Sequence, residues 1–231
     1  MTERDPIRID IVSDVMCPWC YIGKRRIEAA QALVPDIAVS LHWQPFQLDA
    51  TLPAEGKDRR LYLEEKFGGP ERADEIYARV REAGQSVGIP FAFDRITRSP
   101  NTLDAHRVIL WASVTDRQDE VVERLFSAYF VEGKDLTQAE TLIDIGVAAG
   151  MDRDKLVEAL ASDIDRDTVG RGIETAHRVG IQSVPTFIID NRFLAMGAQP
   201  AEVLANALRE AHGQPADDPA ELAGDDSCFV G

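Results

Sequence analysis

The stretch IRIDIVSDVMCPWCYIGKRR, residues 7–26, joins a β-branched run to two cysteines that stand three positions apart. Residues 7–12 are typical of a strand, and Ser13-Asp14 has the composition of a turn. The residues after Cys20 favour a helix, so Pro18 falls at the first helical position, where its missing N–H costs nothing. The stretch therefore predicts a strand, a loop and a helix, with both thiols at the helix start.

This placement of the cysteines indicates thiol–disulfide exchange. The unpaired N–H groups and the partial positive charge of a helix N-terminus stabilise a thiolate, which is the reactive form of cysteine. We therefore expect Cys17 to be the attacking sulfur. Cys20 lies one turn further along the same face, near enough to close a disulfide, and would resolve a mixed disulfide at Cys17. Asp14, before the motif, either modulates Cys17 or only shapes the turn.

A zinc site is the structural alternative for the cysteine pair. Zinc prefers four nitrogen or sulfur ligands, and the sequence has neither a second C-x-x-C nor a closely spaced histidine pair, so we expect no metal. A P-loop or a G-x-G-x-x-G in a suitable context is also missing from the sequence. We expect no cofactor besides the redox-active disulfide itself, with glutathione or another thiol as a candidate co-substrate.

The composition bounds the class of protein and its partners. The 231 residues include 25 Lys and Arg against 40 Asp and Glu, which gives a net charge of −15. Such a charge argues against a nucleic-acid partner. Residues 1–6 lack the features of a signal peptide, and no run approaches the roughly 18 apolar residues of a membrane span. We expect a cytoplasmic protein without membrane association, either a monomer or a homodimer.

The chain after the motif continues a βαβ unit. Residues 25–33 favour a helix that ends before Pro35, and residues 37–43 alternate as a second strand, parallel to the first if the crossover has the usual hand. A C-x-x-C motif within a βαβ unit is typical of a thioredoxin-like fold.

The strand pattern returns near the C-terminus. Residues 184–189 and 192–196 predict a hairpin whose turn contains Asp190-Asn191. Residues 202–212 predict an amphipathic helix that closes the fold.

A long helical block separates the two strand regions. Charged faces and punctuating glycines divide the block, and Thr137-Gln138-Ala139-Glu140 has the pattern of a capping box. The predicted helices cover residues 59–67, 71–87, 101–113, 118–130, 137–149, 152–160 and 164–179.

We therefore predict an α/β protein with a thioredoxin-like fold and a large inserted helical subdomain. The thioredoxin-like domain is discontinuous, with residues 1–53 and 181–213, and the subdomain covers residues 54–180. Residues 214–231 are predicted to form a flexible tail. Cys228 in this tail is either an incidental thiol or an accessory redox cysteine.

Six short stretches, spread over nearly the whole chain, resemble the FrnE-like branch of the DsbA family. They are CPWCYIGK (17–24), QPFQL (44–48), PNTLDAHR (100–107), AYF (128–130), SVPTF (183–187) and GAQP (197–200). The resemblance implies a thioredoxin fold interrupted by a helical insertion, with oxidoreductase or isomerase activity on protein or peptide disulfides. It also implies a cis bond before Pro185, which would face the active site and expose the Val184 backbone to an extended substrate.

The predicted site follows from these motifs. Its catalytic residues are Cys17, Cys20 and Pro185. Trp19 offers substrate an exposed apolar contact or packs beside the motif, and His106 either contacts substrate or is a polar group near a helix start capped by Ser99 or Asn101. The residues predicted to bind substrate are Pro18, Trp19, Asn101, His106 and Val184.

Two other functions remain as hypotheses. The glutathione-dependent kappa transferases and chromene-carboxylate isomerases share the fold, but they usually have a serine at the position of Cys17. They also have a Gly-x-Asp-Arg segment, which helps to hold glutathione, where this chain has Gly197-Ala198-Gln199-Pro200. The third hypothesis is a non-redox, holdase-like binder that uses the helical block. We favour the oxidoreductase because Cys20 has no evident purpose in the other two.

Overall fold

A computed structural model describes residues 5–213 of the chain. The strands in this range are β1 Ile7–Ser13, β2 Val39–Pro45, β3 Lys57–Asp58, β4 Arg98–Ser99, β5 Thr186–Ile189 and β6 Phe193–Met196. The α-helices in the same range are α1 Pro18–Leu33, α2 Arg59–Phe67, α3 Pro70–Ser86, α4 Leu103–Ala112, α5 Gln118–Phe130, α6 Ala139–Ala148, α7 Arg153–Leu160, α8 Arg166–Arg178 and α9 Ala201–His212. None of the helices described is long and apolar enough to cross a bilayer.

The central sheet has the strand order β2-β1-β5-β6. α1 connects β1 to β2, which pair in parallel, whereas β5 is antiparallel to both β1 and β6. Asp190 and Asn191 form the hairpin turn with φ of +53° and +52°, a region that short polar side chains tolerate. The βαβ unit and the hairpin match their predictions, and the α/β, thioredoxin-like fold with a helical insertion is confirmed.

One local prediction is wrong. α6 begins at Ala139 after an N-cap residue, Gln138, that makes no side-chain capping bond. The Thr137 hydroxyl donates instead to Asp135 Oδ1 at 2.7 Å, and the Thr137 N–H donates to the same oxygen at 2.9 Å. A carboxylate two residues upstream therefore binds the side chain on which a capping box depends.

The short pair of β3 and β4 was not predicted. Lys57 lies opposite Ser99, and Asp58 lies opposite Arg98. Two residues are too few to show an alternating pattern, so sequence periodicity cannot detect such strands. The pair ties the start of α2 to the segment before α4.

A continuous apolar core joins the sheet to the helical block. The Phe126 ring of α5 stacks on Tyr21 of α1 at a centroid distance of 5.0 Å and meets Trp43 of β2 edge to face at 6.3 Å. The helical block therefore packs directly on the helix that carries the cysteine motif. The division of the chain at residues 53/54 and 180/181 stays a prediction.

A cluster of charges also joins α1 to α5. Lys24, only 2% exposed, pairs with Glu28, with Asp119 at 3.0 Å and with Glu123 at 3.4 Å. Arg25 bonds Glu28 as well, at 2.8 Å. Burial alone would lower the pKa of Lys24, but the carboxylates of Asp119 and Glu28 outweigh burial and raise it. The ammonium group therefore stays charged inside the interface.

Glu28 gives this cluster a pH dependence. Burial alone would raise the pKa of Glu28, but hydrogen bonds from Lys24 and Arg25 outweigh burial and hold the pKa below its ordinary value of 4.5. A carboxyl group whose pKa is lower in the folded than in the unfolded protein stabilises the fold. This stabilisation is complete when the pH is above the pKa of the unfolded protein, and it is lost as the pH falls through the pKa of the folded protein.

We expect Glu28→Gln to reduce the free energy of unfolding at pH 7 by about 1 kcal/mol, since it removes the carboxylate that Lys24 and Arg25 share. The difference from wild type should shrink as the pH falls below 4.5, where Glu28 itself loses its charge. Urea unfolding over a pH series measures both effects. Glu64→Gln, in the exposed pair with Arg60, is the matched control and should have little effect. An equal loss of stability at every pH would contradict the assignment.

Candidate active site

Cys17 is the N-cap residue of α1. Its N–H donates to the Asp14 carbonyl at 3.0 Å, and its own carbonyl accepts from the Cys20 N–H at 3.1 Å. The Cys17 side chain makes no capping bond to the helix, and Pro18 is the first helical residue. The Cys17 Sγ lies instead 3.7 Å from the Val184 carbonyl oxygen. The thiol thus sits in the positive field of the helix start and faces a second chain segment.

Cys20 lies one turn further into α1 and has no exposed surface. Both thiols are free, and they lie close to one another without a bond. Burial raises the pKa of Cys20 far above its usual range, and the neighbouring Cys17 adds to the rise. At neutral pH Cys20 is therefore a protonated thiol.

The segment beside Cys17 is the turn that leads into β5. The Val184–Pro185 peptide bond is cis. The Pro185 carbonyl accepts from the Gly197 N–H at 2.8 Å, so the residues after β6 support this turn from behind. A Cβ atom on Gly23 would lie 2.7 Å from Pro185 Cγ and 3.2 Å from the Phe187 ring. Gly23 therefore allows the turn to approach α1 more closely than any other residue would.

Asp14 is a buried carboxylate that shapes the loop before the motif. Its Oδ1 accepts from the Met16 N–H at 3.4 Å, and its Oδ2 accepts from the Leu48 N–H at 2.7 Å. The sequence allowed two roles for Asp14, and these bonds support the one in which it shapes the turn. A direct effect of Asp14 on Cys17 stays a prediction.

Asn101 and His106 lie behind this loop. The Asn101 carboxamide accepts from Gln47 Nε2 at 2.9 Å and from the Leu103 N–H at 3.0 Å, and it donates to the Leu52 carbonyl at 2.7 Å. Its oxygen therefore satisfies a backbone N–H at the start of α4, whereas the N-cap residue itself is Thr102.

The His106 ring is buried. Its Nε2 donates to the Phe46 carbonyl at 2.8 Å and lies 3.6 Å from Asp14 Oδ1. Both His106 and Asn101 therefore support the chain around the motif. Their predicted contact with substrate stays a prediction.

Trp19 differs from these residues because 37% of its surface is exposed, immediately beside the buried Cys17 and Pro18. It is thus placed to contact a bound molecule. Cys228 lies outside the described residues. Within residues 5–213, no group of three or more His, Cys, Asp or Glu side chains could hold a metal ion.

An open groove of about 520 Å³ lies next to the motif loop, a feature the sequence did not predict. Leu48, whose N–H donates to Asp14, forms part of the wall of the groove. Two other lining residues bond each other, since Lys66 Nζ donates to the Tyr62 hydroxyl at 2.9 Å. Tyr62 is itself largely buried, with 5% of its surface exposed. The other lining residues are Asp49, Thr51, Leu52, Pro53, Lys57 and Glu65.

The chain is similar to proteins of a known family. The family model described as the DSBA-like thioredoxin domain matches residues 8–209. The uncharacterized protein YwbO of Bacillus subtilis is 23% identical over 205 residues, which are 88% of this chain and 96% of that one.

Two solved structures are also similar to the chain. A probable DsbA oxidoreductase from Streptomyces coelicolor is 28% identical with a TM-score of 0.81, and the match covers 91% of this chain and 92% of that one. The cytosolic disulfide reductase DsbM of Pseudomonas aeruginosa, solved with GSH, is 19% identical with a TM-score of 0.58, and the match covers 89% and 96% of the two chains.

These findings confirm the predicted resemblance to the DsbA family, while the FrnE-like branch stays a prediction. The family match begins in β1, includes the motif, the helical block and the Val184–Pro185 turn, and ends within α9. The chain therefore belongs to the family of DSBA-like thioredoxin domains.

Proposed function

We propose that this protein is a thiol–disulfide oxidoreductase or isomerase that acts on protein or peptide disulfides. The main support is the arrangement of Cys17, which caps α1 without a side-chain bond to the helix and faces the Val184 carbonyl at 3.7 Å. A fully buried second thiol, Cys20, lies one turn behind it. A nucleophile at the helix start, next to the exposed Trp19, and a protected thiol one turn behind it are what a two-step exchange requires.

In the first step, the Cys17 thiolate attacks one sulfur of the substrate disulfide. A mixed disulfide between Cys17 and substrate forms, the substrate S–S bond breaks, and the other substrate sulfur leaves as a thiolate. In the second step, Cys20 attacks the Cys17 sulfur and its proton passes to the departing substrate sulfur, so the bond between Cys17 and substrate breaks, the Cys17–Cys20 disulfide closes and the second substrate sulfur leaves as a thiol. Two electrons pass from the dithiol to the substrate, and the reverse sequence oxidises a substrate dithiol.

The raised pKa of Cys20 separates these steps in time. Because burial and the neighbouring Cys17 hold Cys20 as a thiol, it attacks only when its proton can leave. We propose that a small thiol such as glutathione, or a protein thiol, then reduces the disulfide again.

The surroundings of Cys17 suit an extended substrate segment. The Val184 backbone beside the sulfur offers a carbonyl for main-chain pairing, and the exposed Trp19 ring offers an apolar contact. The groove of about 520 Å³ next to the motif loop falls within the usual size of ligand pockets. We propose that Trp19 and Val184 contact the substrate, while Asn101 and His106 hold the loop that presents the cysteines.

Cysteine replacement tests the dithiol mechanism. We expect Cys17→Ser to slow reduction of a disulfide-bonded peptide by dithiothreitol by roughly 100-fold or more, because the attacking thiolate is lost. Cys20→Ser should instead accumulate a mixed disulfide at Cys17, detectable by mass spectrometry. Cys228→Ser is the matched control, since it removes a thiol that the mechanism does not use. Full activity of Cys17→Ser would refute the proposal.

The contact between Gly23 and Pro185 provides a second test. A methyl group at Gly23 would clash with Pro185 Cγ at 2.7 Å, so Gly23→Ala must displace the turn or α1. We expect the free energy of unfolding to fall by roughly 1–3 kcal/mol, and the exchange rate to fall as Val184 moves from Cys17. Urea unfolding and the peptide assay measure the two effects.

Gly170→Ala is the control for this substitution. Gly170 lies in α8, and a Cβ there would meet nothing within 4 Å. The exchange rate should therefore stay at the wild-type value. The free energy of unfolding should stay at the wild-type value or rise slightly. Wild-type behaviour of Gly23→Ala would show that the close approach does not position the turn.

The glutathione-dependent transferase or isomerase remains the alternative, and the groove with Lys57 and Lys66 is the observation that favours it. The segment of residues 197–200 argues against it, because it supports Pro185 through a backbone bond and lacks the Asp-Arg pair of that sibling branch.

Calorimetric titration with S-methylglutathione, which cannot exchange thiols, separates these two functions. We expect no saturable binding at millimolar concentrations, because our mechanism uses glutathione only as a thiol. Saturable binding that survives Cys20→Ser would favour the transferase.

A further inference from the structure

Arg26 links the motif helix to the segment that follows the hairpin. Its partly buried side chain donates a hydrogen bond from Nη1 to the Ala198 carbonyl. Lys24 and Arg25, the two residues before it on α1, bond carboxylates of α5 instead. Residues 197–200 connect β6 to α9, and β6 is the outer strand of the sheet in the part of the chain that the structure describes. Arg26 thus anchors to α1 a segment that leaves the edge of the sheet.

The segment that Arg26 holds is a compact turn. The Gly197 carbonyl accepts from the Gln199 N–H at 2.9 Å, which closes a three-residue turn with Ala198 at its centre. Gly197 has a φ of +76°, a conformation that glycine adopts without strain. Gln199 Nε2 also donates to the Met196 carbonyl at 2.7 Å. Arg26 therefore bonds the central carbonyl of a turn that its own backbone and side chains close.

This turn holds Pro185 from one side, and α1 holds it from the other. The Gly197 N–H donates to the Pro185 carbonyl at 2.8 Å. The Pro185 ring lies against Gly23, where a Cβ atom would come within 2.7 Å of Cγ. Gly23 and Arg26 are three positions apart on α1 and therefore lie on the same side of the helix. One side of α1 thus fixes Pro185 twice, directly through Gly23 and indirectly through Arg26.

The residues around Pro185 form one unit. The Thr186 hydroxyl, in a residue only 1% exposed, donates to the Ser183 carbonyl at 2.8 Å and so closes the chain around Val184 and Pro185. The Val184 carbonyl oxygen in this unit lies 3.7 Å from Cys17 Sγ. The distance between the Val184 backbone and the sulfur therefore depends on how Pro185 is held.

The position of Cys17 itself depends on other contacts. Its N–H donates to the Asp14 carbonyl at 3.0 Å, and its carbonyl accepts from the Cys20 N–H at 3.1 Å. Neither bond involves the turn after β6. Loss of the Arg26 contact should therefore loosen the Val184 backbone while leaving the nucleophile at the helix start.

We propose that Arg26 is a positioning residue that gives the site its preference for extended polypeptide disulfides. It holds the Val184 backbone where a substrate segment can pair with it while the substrate sulfur meets Cys17. A small disulfide has no main chain to pair, so its reaction does not depend on this distance. The inference rests on the proposed function and adds to it a source of substrate selectivity.

Single-turnover kinetics with two substrates test the inference. The reduced full chain is mixed with an excess of a disulfide-bonded peptide or of hydroxyethyl disulfide, and no other thiol is present. Acid quenching, alkylation and mass spectrometry then follow closure of the Cys17–Cys20 disulfide. The dependence of the rate on substrate concentration separates binding from the exchange step.

We expect Arg26→Gln to raise the peptide concentration that gives the half-maximal rate about tenfold, because substrate pairing with the Val184 backbone is weakened. The maximal rate with peptide, and the rate with hydroxyethyl disulfide, should stay within about twofold of wild type. Arg26→Lys keeps the charge but loses the planar guanidinium, so it should raise the half-maximal concentration only about threefold.

Arg209→Gln is the matched control. Arg209 of α9 also donates from its guanidinium to a backbone carbonyl of α1, that of Leu33 at 3.4 Å, but at the opposite end of α1 from Cys17. The control removes the same charge and the same kind of contact, and it should leave the kinetics with both substrates unchanged.

An equal effect of Arg26→Gln and Arg209→Gln would overturn the inference, as would equal slowing of the peptide and of hydroxyethyl disulfide by Arg26→Gln. Near-ultraviolet circular dichroism shows whether each variant is folded. If Arg26→Gln does not fold, Arg26→Lys decides, and a wild-type dependence on peptide concentration in that variant would contradict the role of Arg26.

The two proposals fail in different ways. If the wild-type chain does not exchange the peptide disulfide, the proposed function is refuted. If the wild-type chain exchanges it and the Arg26 variants bind the peptide equally well, only the role of Arg26 is refuted.

Discussion

The close contact between Gly23 on α1 and the ring of Pro185 determines where the two halves of the site meet. The residues are 162 positions apart in the chain, and the pairing of β1 with β5 brings their elements side by side. With no side chain at position 23, the turn before β5 can lie against the first turns of α1. The Val184 carbonyl then accepts from the Cys17 thiol at 3.7 Å, so the field of the helix start and a backbone acceptor both act on the Cys17 sulfur.

The helical block, together with the sheet, fixes the position of α1. Phe126 covers Tyr21 and Trp43, and the carboxylates of Asp119 and Glu123 surround the ammonium group of Lys24. The orientation of α1 therefore depends on α5 as much as on the strands beneath it. The same block contributes Lys57, Tyr62, Glu65 and Lys66 to the groove beside the motif loop, whose remaining lining residues lie between Leu48 and Pro53, so both parts of the chain build this groove.

The sequence was informative where the cause of structure is local. The β-branched run before Cys17, Pro18 at the first helical position and the Asp190-Asn191 turn each depend on a few adjacent residues, and each was predicted. The capping box failed because Asp135, just outside the pattern, binds Thr137. The support given by Asn101 and His106 could not be foreseen, because their partners, Leu52 and Phe46, lie 49 and 60 positions away.

The ion cluster around Lys24 limits which segments of this protein can be deleted or exchanged with those of relatives. An insertion that only rests on its host can be treated as a portable module, to be deleted or exchanged between relatives. Here, deleting the helical block would remove Asp119 and Glu123 from a lysine that is only 2% exposed and would uncover Tyr21 and Trp43. A minimal thioredoxin cut from this chain would thus need a redesigned α1 surface, and chimeras should exchange α1 and α5 together.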